Sequence, residues 1–152
     1  MILQATYQTA IGKITVGYEA DTLFFLSFSS AVSEKNNPSQ FSDTVYQQIK
    51  EYLAGERKSF QIKYQERGTE FQMRVWSELK KIPYGETRTY KEIAVAIGNS
   101  KAARAVGMAC NRNPLPLIIP CHRVIGAKGK LVGFALGLNM KEKLINLEKE
   151  NS

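Results

Sequence analysis

The chain has 152 residues, 43% of them hydrophobic and 23% charged, and a net charge of +7, the composition of a folded globular protein of one or two small domains. No run approaches the roughly 20 apolar residues of a membrane span, and the opening MILQATYQTAIGK does not combine a basic start, an apolar stretch and a cleavage site. Two cysteines and one histidine make neither a disulfide framework nor a usual zinc site, so the expectation is a cytoplasmic protein with no membrane association, no metal and no cofactor; nothing in the sequence encodes the oligomeric state, and a monomer is expected.

Residues 2–8, 11–18 and 22–28 are β-rich runs, separated by Ala10-Ile11-Gly12 and Glu19-Ala20-Asp21. Residues 33–39 are a polar loop. Residues 40–54 fit a helix, with Phe41, Val45, Ile49 and Leu53 four apart, and Gly55 stops it. Residues 59–64 fit one more strand. Residues 1–64 thus read as a small α/β unit with no catalytic motif and a supporting role.

Residues 65–68 read as a linker, and residues 68–152 as a second domain. Thr69 and Gln72 form a capping-box pattern that opens a helix. Phe71, Val75 and Leu79 make its apolar stripe, Trp76 lies beside it, and Pro83 ends it. Ile82-Pro83-Tyr84-Gly85-Glu86 is a turn. Thr89 and Glu92 open a short helix through about Ile97, and Gly98-Asn99 breaks it. Ser100 is placed to cap a third helix from Lys101 to about Cys110. Two short helices joined by a glycine-containing turn are the helix-turn-helix pattern. Asn139 and Glu142 form a further capping pattern, opening a last helix.

Charge divides unevenly: residues 1–62 carry −1 and residues 63–152 carry +8. The basic part points to a polyanion partner, most simply nucleic acid. In the second helix of the helix-turn-helix, Ala102, Ala103, Ala105 and Gly107 offer little but methyls and hydrogens, whereas a major-groove reader presents Asn, Gln or Arg. Small residues suit close approach to a minor groove. Arg104 is the long cation among them, placed to enter a base stack.

Three prolines, Pro114, Pro116 and Pro120, rule out a helix before Cys121. A thiol near its free pKa of about 8.5 is mostly protonated at neutral pH, and the thiolate is the nucleophile. His122, the sole histidine, is the one imidazole available to take that proton, and a carboxylate could orient it. Several carboxylates could serve. Glu148, four residues after Leu144, lies on the packed side of the last helix. Cys110, at the end of an apolar helix, reads as a small buried hydrophobe.

Pro120-Cys121-His122-Arg123-Val124 resembles the active-site motif of the methylated-DNA–protein-cysteine methyltransferases, also called O6-alkylguanine-DNA alkyltransferases. The resemblance runs from Gly68-Thr69-Glu70-Phe71-Gln72 and Val75-Trp76, through residues 82–86, Tyr90 and residues 102–107, to Asn113-Pro114 and the last helix. It implies an α+β fold, with a small RNase H-like N-terminal domain followed by a winged helix-turn-helix domain. The implied partner is double-stranded DNA containing O6-alkylguanine. Cys121 would accept the alkyl group irreversibly, once per molecule, from a nucleotide flipped out through the minor groove. The resemblance further implies His122 as base through a water, Glu148 as its orienter and Asn113 as brace of the cysteine turn. Arg104 would replace the flipped base, and Tyr90 would crowd a phosphate and protonate guanine N3. The carbonyls of Cys121 and Val124 and the amide of Ala135 would hold the guanine. Phe134 and Leu136, where relatives often carry tyrosine and a small residue, imply a pocket for methyl rather than benzyl. The alternatives are a non-catalytic lesion sensor or regulator, which would lack the acceptor cysteine, and a thiol hydrolase built on Cys121 and His122, which would need turnover.

Overall fold

The computed structural model describes residues 1–28, 36–134 and 136–152. The chain divides into two compact units, Met1–Arg67 and Gly68–Ser152. Residues 33–35 of the polar loop, and Ala135, lie outside the described residues.

Among the described residues, the first unit is a three-stranded antiparallel sheet with one helix. β1 (Leu3–Thr9), β2 (Gly12–Glu19) and β3 (Thr22–Ser27) pair in chain order, from Leu3 opposite Tyr18 to Thr9 opposite Gly12, with a bulge at Gly17/Tyr18. α1 (Gln40–Leu53) is held at its start by a reciprocal Ser39–Ser42 capping box and ends before Gly55, whose φ is +78°. Val45, Ile49 and Tyr52 from the helix and Ala5, Ile14, Val16 and Leu23 from the sheet form the core. The expected strand at residues 59–64 is not one. It contracts to a single parallel bridge, Tyr64 to Leu23. The reason is local: Gln48 takes over the backbone of Gln61, donating to its carbonyl (3.1 Å) and accepting from its amide (2.9 Å), so Gln61 satisfies its polar groups on α1, and ladder bonds begin only beside Tyr64, where the Lys63 carbonyl and the Gln65 amide meet Leu23 at 2.9 Å.

The second unit is mainly helical. α2 (Glu70–Leu79) opens with the Thr69–Gln72 capping box, and α3 (Tyr90–Ala96) with that of Thr89 and Glu92. α4 is Ala103–Asn111, and α5 is Leu138–Asn151. A short parallel pair joins β4 (Arg88–Thr89) to β5 (Val124–Ile125). Trp76 is 1% exposed and its indole N–H donates to the Ala109 carbonyl at 2.9 Å, tying α2 to α4. The Arg74 guanidinium donates to the Ile97 carbonyl, tying α2 to the end of α3. No described helix is long and apolar enough to cross a membrane.

Two expected caps are corrected. Neither Ser100 nor Asn139 caps a helix: α4 has Ala102 and α5 has Gly137 at the N-cap, both without a side-chain hydrogen bond. Residues 99–102 instead close a turn, with the Ala102 amide on the Asn99 carbonyl at 3.1 Å. Gly137 enters α5 at φ +94°, a conformation that favours glycine over asparagine. Thr69→Ala should therefore lower stability in urea denaturation by about 1 kcal/mol, while Ser100→Ala should stay within about 0.5 kcal/mol of the parent.

Candidate active site

The cysteine segment is irregular, and Asn113 organises it. Its Oδ1 accepts from the Leu115 amide at 2.9 Å, an Asx turn, and its Nδ2 donates to the Ile119 carbonyl at 2.8 Å. One side chain thus spans the loop from start to end. Leu117 sits at φ +75°, an unfavourable conformation for a branched side chain, which this bracing holds. Residues 121–123 then make one 3-10 turn, with the Arg123 amide on the Pro120 carbonyl at 3.0 Å.

This turn packs on α5. The His122 ring is fully buried, and its Nε2–H donates to Glu148 Oε2 at 2.6 Å. Glu148, 1% exposed, also accepts from Arg123 Nε on Oε1 (2.8 Å), from an Arg123 terminal nitrogen on Oε2 (3.0 Å), and from the Gly85 amide on Oε1 (3.1 Å). Arg123 donates its remaining arm to the Ile82 carbonyl at 2.7 Å. Gly85 has φ +84°, and a Cβ there would lie 2.7 Å from Ser152 Cβ, so the close approach of this amide to the carboxylate favours glycine.

Lys141 is the other buried charge, with no exposed surface. Its ammonium donates to the Val132 carbonyl (2.9 Å) and the Tyr90 hydroxyl (3.1 Å), and lies 5.3 Å from the Tyr90 ring centre and 5.9 Å from that of Phe134. Tyr90 in turn donates to the carbonyls of Val132 (2.8 Å) and Gly133 (3.1 Å).

Burial pushes the Cys121 thiol above its ordinary range. The Asn113 side chain, the Lys141 ammonium and the amides of Cys121 and His122 oppose it by favouring the thiolate. Burial holds His122 below its ordinary range; Glu148 opposes that, while Arg123 and Lys141 reinforce it. Burial raises Tyr90, and the two thiols add to it. Cys110 is pushed up to about 12, chiefly by burial, which leaves it a poor nucleophile. The arrangement sets a buried thiol next in the chain to a buried imidazole whose partner is a fixed carboxylate.

Asn113, Cys121, His122 and Glu148 are thus brought together, with Tyr90 linked through Lys141. Arg104 and Ala105 are exposed on α4, Ala103 is half-buried, and Ala102 is buried at the N-cap, so Ala102 has only backbone to offer a partner. Gly107 faces Tyr90, where an added Cβ would stand 3.7 Å from the ring. Val124 is fully buried, and Phe134 and Leu136 are half-buried. Sequence reasoning missed Lys141 and gave Arg123 no role. Lys141 was findable: it shares the stripe of Leu144, Ile145 and Glu148 at spacings of three, four and seven, all buried.

A family model for the DNA binding domain of 6-O-methylguanine DNA methyltransferase matches residues 70–150, and one for its ribonuclease-like domain matches residues 2–65. The chain belongs to the 6-O-methylguanine DNA methyltransferase family. It is similar to the methylated-DNA–protein-cysteine methyltransferase of Methanosarcina acetivorans, at 49% identity over 95% of this chain and 96% of that protein. Crystal structures of the Mycobacterium tuberculosis O6-methylguanine methyltransferase (TM-score 0.91, 42% identity, 100% of this chain and 95% of that one) and of the M. tuberculosis protein OGT in complex with DNA (TM-score 0.91, 43% identity, 98% and 94%) share the fold. The family's fold is α+β, and in this chain the ribonuclease-like match falls on the sheet-bearing unit and the DNA-binding match on the helical unit that carries Cys121.

Removing the carboxylate would strand Arg123 as an unpaired buried charge. Glu148→Ala should cost about 3–5 kcal/mol in urea denaturation, well beyond the loss from the cap at Thr69.

Proposed function

We propose that the protein repairs DNA by direct reversal, moving the alkyl group of O6-alkylguanine onto Cys121 in a single irreversible event. The observation that carries this reading is a buried thiol, a buried His122–Glu148 couple at 2.6 Å and a matched DNA-binding domain in one unit. The names of the relatives agree with it: they are methylated-DNA–protein-cysteine methyltransferases.

The DNA would lie along the exposed face of α4. Ala103, Ala105 and Gly107 permit close approach, and Arg104 fills the space of the nucleotide turned out of the stack. Flipping costs a few kcal/mol, less for a poorly paired damaged base. Phosphate contacts from a basic domain make affinity fall as salt rises.

In the transfer step His122 takes the thiol proton through a water. With Nε2–H given to Glu148, the basic nitrogen of the neutral ring is Nδ1. The sulfur attacks the alkyl carbon, the bond from that carbon to O6 breaks, and its electron pair leaves on guanine. A proton reaches guanine N3 from Tyr90, which needs the hydroxyl to give up its acceptors at Val132 and Gly133. Overall the sulfur exchanges a proton for the alkyl group and guanine gains a proton, so the balance closes with no co-reactant. The product is a thioether that none of these groups can hydrolyse, hence one lesion per molecule. Phe134 and Leu136 narrow the pocket toward methyl.

Incubation with a duplex carrying one O6-methylguanine should add the mass of one methylene to the peptide containing Cys121, in stoichiometric amount, and Cys121→Ser should abolish it. Repair without a mass change would point to a turnover enzyme, and binding without either to a sensor. Arg104→Ala should slow duplex repair by at least about tenfold, the equivalent of losing part of a flipping cost of a few kcal/mol. Transfer from the free base should be unchanged in the same variant.

A further inference from the structure

We propose that Arg123 is a positioning residue for this reaction: it clamps the Glu148 carboxylate in the plane that His122 uses and balances its charge, so that the imidazole stays neutral. The inference rests on the alkyl-transfer reading for its kinetic consequence, but the state of His122 can be read without DNA.

The geometry is that of a fork on a carboxylate. Arg123 meets Glu148 at 2.8 and 3.0 Å through two nitrogens, and the third arm is fixed on the Ile82 carbonyl at 2.7 Å. Both partners are buried. Two parallel bonds fix orientation as well as distance. With Arg123 Nε and the Gly85 amide both on Oε1, the carboxylate has little freedom to turn, and Oε2 remains aimed at His122 Nε2.

The charge argument is independent of the orientation argument. A buried carboxylate needs a positive partner. If His122 were the sole candidate, Glu148 would hold it as an imidazolium, which cannot take a proton from a thiol. A guanidinium is charged at every working pH, so Arg123 meets the requirement and leaves His122 free of it. The groups facing this centre can be named. Glu148 and Lys141 come from α5, and Cys121 and Arg123 from the 3-10 turn itself. Tyr84, from the turn before α3, feels Glu148 and Arg123. The buried side chains of α2, which also packs on this turn, are the uncharged Val75, Trp76 and Leu79. The charged members are therefore two cations and one anion before any proton is added to His122, and an imidazolium would be a third cation.

The test uses the fact that the chain has one histidine: a single imidazole resonance reports its titration by NMR in the full-length protein. In Arg123→Gln the titration midpoint should move upward, and the acid limb of the single-turnover methyl-transfer rate should move to higher pH with it. Arg123→Lys, which keeps the charge, should return both toward the parent. A folded Arg123→Gln with midpoint and acid limb unchanged overturns the proposal. Should Arg123→Gln not fold, the parent and Arg123→Lys carry the test: in both, the imidazole resonance should be that of a neutral ring at neutral pH, and an imidazole still protonated there beside Glu148 overturns the proposal. A midpoint that moves as expected, in a parent protein that transfers no methyl, upholds the clamp and rejects alkyl transfer instead.

Discussion

Everything at this site depends on one buried carboxylate. Glu148 collects donors from the turn at residue 85, from His122 and twice from Arg123, and it does so at 1% exposure. Three segments far apart in sequence are held to one another by their share in it. A carboxylate in that position is costly without partners and strongly orienting with them. The connection between α2 and α3 is tied at Gly85 and again at Ile82 through Arg123. The cysteine turn is tied through His122. The packing of this unit and the setting of the Cys121 turn are therefore the same set of bonds.

Much of this was legible in the sequence where the determinant is local. Thr69 with Gln72 and Thr89 with Glu92 predict helix starts because both halves of the box lie within one turn. Ser100 and Asn139 carry the same local pattern and cap nothing, because the chain enters α4 through the Asn99–Ala102 turn and α5 through a glycine at positive φ. Residues 59–64 have strand composition, yet the backbone of Gln61 pairs with the side chain of Gln48, which no periodicity reports. Glu148 could be found from its spacing to Leu144. The pairing of Arg88–Thr89 with Val124–Ile125 could not, since each strand has two residues and they lie more than thirty apart. Arg123 stood inside the motif, but its role comes from what it reaches, on two other segments.

The segment after the cysteine turn is held differently from the turn itself. The turn is locked by the Asn113 and Glu148 side chains. The segment that follows includes Gly129, Gly133 and Gly137 at positive φ and is fastened by its carbonyls. Val132 accepts from both Lys141 and Tyr90, and Gly133 accepts from Tyr90. Such bonds are individually worth about 1 kcal/mol net, far less than the cost of stranding a buried charge.

On the proposed alkyl-transfer reading, that contrast sets which bonds a substrate would displace. A guanine entering beside Tyr90 would compete with the Val132 and Gly133 carbonyls for one hydroxyl, and the exchange would replace one hydrogen bond by another at little net cost. Lys141 remains hydrogen-bonded to Val132 whichever acceptor Tyr90 takes, so its buried ammonium is never stranded by the exchange. The Glu148 hub faces no such competition, because His122 meets it through Nε2 and leaves Nδ1 for the thiol proton, and the other three donors come from Gly85 and Arg123. On the proposed alkyl-transfer reading, the base that activates the thiol would therefore stay rigid while the acid that helps guanine leave would be released by the guanine itself.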